Sequence, residues 1–334
     1  MRWSFLLIAA VAGCGDRPGP APSGGGEAVD PATVTVTQPG AGGPLPLKSV
    51  AYWAYQIQDH YLAPQPLADS HYDLLVIDQA RSIVDLTGYD DALLVSKLKS
   101  SRNHVGGNKI VLCYIDIGQA ENFRWYWQSG WKVGNPAWIA GKDPDGWAGD
   151  FVVKFWDPEW KVILKAYLDR IIADGYDGIY MDWLGAFEFG AVVNAATAEG
   201  KNARAEMAAL VKELGAYARV KKPGFLLVGQ NAAELAGEPD YLSSIDGQAQ
   251  EDTWFRGGAQ GAQGDIATKP ADTQETIQAL NVFKSAGKPV FTVDYAFKPD
   301  HVSACYTQAA ALGFVGYVTG VQLDRLTSTP PPGY

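Results

Sequence analysis

The residues best able to do chemistry here are carboxylates that close short apolar runs. GYDGIYMDW ends near Asp182, and IDGQAQE ends on Glu251. In an extended strand successive side chains alternate between faces, so Tyr180 and Asp182 share one side while Ile179 and Met181 share the other. With the apolar pair packed outward, Asp182 points inward, where a carboxylate is costly unless it is used or paired. The same alternation aligns Gly247, Ala249 and Glu251, small residues that leave room beneath a single acid. Two such acids across one pocket could cleave a glycosidic bond. One protonates the leaving oxygen, and the other attacks the anomeric carbon or activates water.

Other strand ends are polar too: Gln56, Asp78, Asp116, Gln230 with Asn231, and Asp294 with Tyr295. Taken singly, each could cap a helix or start a turn. Taken together at the ends of many strands, they point to one shared site. The four histidines, His60, His71, His104 and His301, avoid the strand ends, which disfavours zinc and di-iron chemistry and leaves oxygen-only calcium sites open. No GxSxG elbow, HExxH helix or P-loop occurs. A net charge of -10 repels phosphate backbones, so nucleic acid is not an expected partner.

These acids need a scaffold. From residue 48 onward, β-rich runs alternate with helical patterns, the signature of a parallel sheet with crossover helices. Eight candidate strands stand out: SVAYWAYQI, YDLLVIDQA, KIVLCYIDIG, GIYMDW, FLLVGQN, IDGQAQE, PVFTVDYA and FVGYVTG. Eight is the number of a (β/α)₈ TIM barrel, whose active sites gather at the C-terminal strand ends. Helical spacing predicts helices over 156–174 and 202–220, and start signals stand at Asp157-Pro158 and at Asp272 with Glu275. A doubly wound open sheet would carry a glycine-rich phosphate loop after its first strand, and none follows SVAYWAYQI. Loops 143–150 and 256–265 would set specificity, and the glycines of the second read as a disordered insertion rather than a lid. The aromatic content, 12%, fits either a cleft that stacks sugar rings or a large core.

The ends of the chain read as an address. Residues 1–13 form a short signal, with Arg2 ahead of the apolar run Trp3 to Val11. Val11-Ala12-Gly13-Cys14 resembles a lipobox, with Cys14 as the acylated residue. Residues 14–47 read as a Gly/Pro-rich tether, 48–326 as a single barrel domain and 327–334 as a tail. Cys113 and Cys305 read as buried free thiols. The expected location is a bacterial cell envelope, lipid-anchored on its periplasmic or extracellular face, with the membrane and a polysaccharide as partners and the protein a monomer.

The strings CYIDIGQAENFRWYW, FWDPEWKVILKAYLDRIIADGYDGIYMDW, Gln230-Asn231 followed by Glu234, IDGQAQEDTWF and VFTVDYA resemble the successive motifs of glycoside hydrolase family 114. That family comprises endo-α-1,4-polygalactosaminidases and related barrel proteins. The likeness covers roughly residues 48 to 320. It implies a hydrolase of an α-linked amino-sugar polysaccharide, acting with retention and without a cofactor. Asp182 and Glu251 match the catalytic carboxylates, assigned as nucleophile and acid/base by analogy with other retaining barrel enzymes, the opposite assignment staying open. Asp116, Gln119, Glu121, Asn231, Asp294 and Tyr295 match cleft positions, and Asp78, Trp183 and Gln230 join the candidate substrate-binding set. The alternatives are a surface-anchored carbohydrate-binding protein without turnover, and a hydrolase of a different α-glycoside.

Overall fold

The structure, a computed structural model, describes residues 26–258 and 261–334. The signal read at 1–13 and the lipidation read at Cys14 lie outside the described residues. The eight expected strands form β1 (Trp53–Tyr55), β2 (Leu74–Ile77), β3 (Ile110–Asp116), β4 (Gly178–Asp182), β5 (Leu226–Gln230), β6 (Gly247–Glu251), β7 (Val290–Tyr295) and β8 (Val315–Thr319). They pair in parallel and in chain order, β1 through β8, as a nearly closed TIM-type barrel.

Between β1 and β8 there is no backbone ladder. The Trp53 indole donates to the Val315 carbonyl at 3.0 Å, and just past the strands the Ile57 and Gln58 N–H groups donate to the Leu323 carbonyl at 3.1 and 3.0 Å. These bonds serve backbone groups that an edge strand would leave unpaired. Aromatic rings fill the barrel: Trp53 lies against Tyr55, Tyr180 and Phe291, and Tyr55 against Tyr114 and Tyr180. Much of the aromatic content is therefore core.

The helix Pro158–Ala173 buries Trp160, Leu164, Tyr167, Leu168 and Ile171, and its Asp157 cap accepts from the Glu159 N–H. The helix Ala203–Lys221 buries Met207, Leu210, Val211 and Leu214 behind an Asn202 cap. The helix expected to begin at Asp272 begins at Pro270, whose ring suits a first turn, and Asp272 falls within that turn.

Four features depart from expectation. Residues 29–47 are not a free tether: the Val29 N–H donates to the Tyr61 carbonyl, Lys97 Nζ donates to the Ala32 and Val34 carbonyls, and the Gly40 N–H donates to the Ser100 carbonyl. This strap runs down the outside of the barrel from the loop after β1 to the floor. The tail at 327–334 is packed as well. The Thr327 N–H donates to the Tyr317 hydroxyl, and Tyr334 stacks on Tyr72 with ring centroids 4.4 Å apart. The β3–β4 connection carries a three-stranded antiparallel sheet of Gln119–Glu121, Asp150–Val153 and Ile139–Lys142, in that order. Finally, the glycine-rich segment after β6 is ordered where it is described. Phe255–Arg256 pairs with Ile266–Ala267, and the Val321 N–H donates to the Gln263 carbonyl.

Candidate active site

Alternation along β3, β4 and β6 builds the site. Asp116 on β3 and Asp182 on β4 are register partners. The Tyr114 hydroxyl donates to Asp182 Oδ2 at 3.0 Å, and the Trp183 N–H donates to Oδ1 at 2.7 Å. Burial, followed by the charge of Glu251, pushes the Asp182 carboxyl up to about 7. Glu251 is clamped from two sides. Tyr295 donates its hydroxyl to Oε1, and Asn231 Nδ2 donates to Oε2 at 2.9 Å. The Asn231 Oδ1 then accepts from the Glu251 N–H at 2.9 Å and from Gln250 Nε2 at 3.0 Å. Below the acids, both Asp182 and Glu251 act to hold the Tyr55 and Tyr180 hydroxyls in their protonated form, on top of the larger effect of burial. Asp182 and Glu251 thus lie near enough for the charge of one to act on the other, and both are half-buried.

The chain leaves these strands by left-handed bends at residues that are not glycine. Trp183 follows Asp182 with φ 56°, Asn231 and Ala232 follow β5 with φ 60° and 51°, and Asp252 follows Glu251 with φ 57°. Such conformations cost on the order of 1–3 kcal/mol each and gather at functional sites. Asn231 and Asp252 are types that tolerate this region, whereas nothing in Trp183 or Ala232 announces it.

The other expected residues separate into groups. Gln230 is buried and accepts from the Tyr180 hydroxyl, leaving its Nε2 without a protein partner. Asp116 is buried, and its Oδ1 accepts from the Gly118 and Gln119 N–H groups at 3.0 and 2.7 Å. Burial and the nearby Asp182 hold it well above the usual carboxylate range. Gln119 is buried, with Nε2 donating to Asp143 Oδ2 at 2.8 Å. Asp294 is buried and anchors the segment after β6, its Oδ1 accepting from the Trp254 and Phe255 N–H groups at 2.6 and 2.9 Å.

Asp78 and Glu121 face a residue the sequence reading passed over. Arg124, 1% exposed, donates from Nε and Nη2 to the two oxygens of Glu121 at 2.7 and 2.9 Å, and from Nη1 to Asp78 Oδ2 at 2.7 Å. These two acids are occupied by an ion triad that fixes the β3–β4 excursion to the barrel. Burial still lifts Asp78 to about 6 against the pull of Arg124. From that excursion the 143–150 loop reaches toward the mouth. Asp143 Oδ1 accepts from the Asp145, Gly146 and Trp147 N–H groups. Tyr114, by contrast, was legible by the same alternation as Tyr180. No group of three or more His, Cys, Asp or Glu suited to hold a metal occurs among the described residues.

Two half-exposed carboxyls stand at the C-terminal ends of β4 and β6, the face on which barrels of this kind gather their active sites. Comparison with solved structures supports the same architecture. The glycoside hydrolase domain of PelA from Pseudomonas aeruginosa matches with a TM-score of 0.58 at 20% identity, over 84% of this chain and 98% of that one. Ega3 from Aspergillus fumigatus, solved in complex with galactosamine, matches with a TM-score of 0.58 at 17% identity, over 88% and 97%. At these identities the likeness bears on fold alone. A relative from Deinococcus radiodurans is 34% identical over 329 residues, 98% of each chain. Another, from Methanocaldococcus jannaschii, is 33% identical over 247 residues, 73% of this chain and 66% of its own length. The model of glycoside-hydrolase family GH114 matches residues 32–331, and with the barrel and the paired acids in place, the chain belongs to that family.

Proposed function

We propose that this protein hydrolyses an α-linked amino-sugar polysaccharide from within the chain, with retention of configuration. In this reading Asp182 attacks the anomeric carbon while Glu251 gives its proton to the leaving oxygen. Water, deprotonated by Glu251, then releases the sugar from Asp182. The observation that carries the reading is a pair of half-buried carboxyls at the ends of β4 and β6, with burial and the charge of Glu251 lifting Asp182 to about 7. Such a pair retains a proton near neutrality, which one-acid, one-base chemistry requires. Asp182 must be ionised to attack, so turnover declines as pH falls below about 7 and Asp182 takes up a proton. Galactosamine in Ega3, a structure of the same fold, supports an amino sugar as substrate. A lipid anchor on Cys14, a place on the outer side of a bacterial membrane and a monomeric state complete the proposal.

Asp182→Asn and Glu251→Gln, tested with galactosaminan, chitosan and a neutral α-glucan, should each lower turnover on the order of 10²–10⁴-fold while polymer binding persists. NMR of the first product should report the anomeric configuration of the substrate. Full turnover in either variant removes that carboxyl from the mechanism. A wild-type protein that binds these polymers but cleaves none is a carbohydrate-binding protein instead.

A further inference from the structure

Phe297 is 56% exposed, the most exposed aromatic ring among the described residues, although it follows directly on a buried strand. Its backbone is not free to move. The Ala296 N–H donates to the Thr319 carbonyl at 3.1 Å, and the Phe297 and Lys298 N–H groups donate to Asp265 Oδ1 at 3.1 and 3.2 Å. The ring lies on Gly320, just beyond β8, where a Cβ would come within 2.9 Å of it. A side chain at 320 would push the ring from that seat. Phe297 is two residues past Tyr295, whose hydroxyl donates to Glu251, and two residues of extended chain span at most about 7 Å.

Scattered surface apolar residues need no explanation. An outward-facing ring on a fastened backbone near the strand ends is different, because the apolar face of a pyranose stacks on such a ring. Resting on the reading above, we infer that Phe297 is a stacking platform for a sugar ring of the polymer beyond the scissile bond. The strand would cross the mouth from the 143–150 loop, over Asp182 and Glu251, to the rim above β7 and β8.

The test separates binding from chemistry. In an Asp182→Asn background, affinity electrophoresis in partly deacetylated galactosaminan should show Phe297→Ala binding roughly three- to tenfold more weakly, with Phe297→Trp restoring retention. In the active protein, Phe297→Ala should lose more kcat/KM on the polymer than on a disaccharide, mainly through KM. Equal binding, or equal losses on polymer and disaccharide, overturns the platform and leaves the paired-acid mechanism standing. A Phe297→Trp variant as weak as Phe297→Ala also overturns it. Absence of polymer binding in the Asp182→Asn background overturns both readings.

Discussion

Burial lifts the Asp294 carboxyl to about 7, against the lowering effect of the two backbone N–H groups that Oδ1 accepts, while Oδ2 has no protein partner. Its folded pKa lies above its unfolded value of 3.8, so the folded state binds the proton more tightly. The resulting stabilisation is fully present below about pH 4 and is lost as pH rises through 7. Asp294→Asn keeps an acceptor for the Trp254 and Phe255 N–H groups and removes the charge. Its Tm should therefore fall less than that of the parent between pH 4 and 7, with Asp78, Asp91 and Asp182 supplying the remaining slope. Thermal scans across that range check it, and parallel curves would sink it. Strand parity marked Asp182 and Glu251 as inward in the sequence. It did not mark Arg124, because a charge between aromatic residues carries no sign of being buried, and so Asp78 and Glu121 read as open when their oxygens are held.

The elements that hold these residues depend on close backbone approach. A Cβ on Gly118 would stand 2.1 Å from the Trp183 carbonyl, so the ends of β3 and β4 meet where only glycine fits. Gly118→Ala should lower stability by about 1–3 kcal/mol, read as an earlier urea midpoint, and should reduce activity by shifting Trp183 and its neighbour Asp182. An unchanged midpoint would show that the two ends can part freely. Strands and long helices were legible because their periodicity is imposed by a buried face. The β3–β4 excursion was not, since its strands are three or four residues long and carry no sustained alternation. The segment after β6 was misread because its glycines suggested disorder, whereas Asp265 and the backbones of Tyr295 and Val321 fasten it.

At the scale of the molecule, eight strands implied a closed ring, and alternation could not reveal that β1 and β8 lack a ladder. Trp53→Phe keeps most of the ring volume and removes the donor to the Val315 carbonyl. It should cost about 1 kcal/mol and speed amide exchange in β8 ahead of β4, checked by exchange mass spectrometry. Uniform exchange rates would mean that the tail alone closes the seam. The outer strap also carries a consequence for orientation. Its described part starts with Gly26 beside Leu62, in the loop that leaves β1 on the mouth side, and only then descends to the floor. Anything moored ahead of Gly26 departs at rim level.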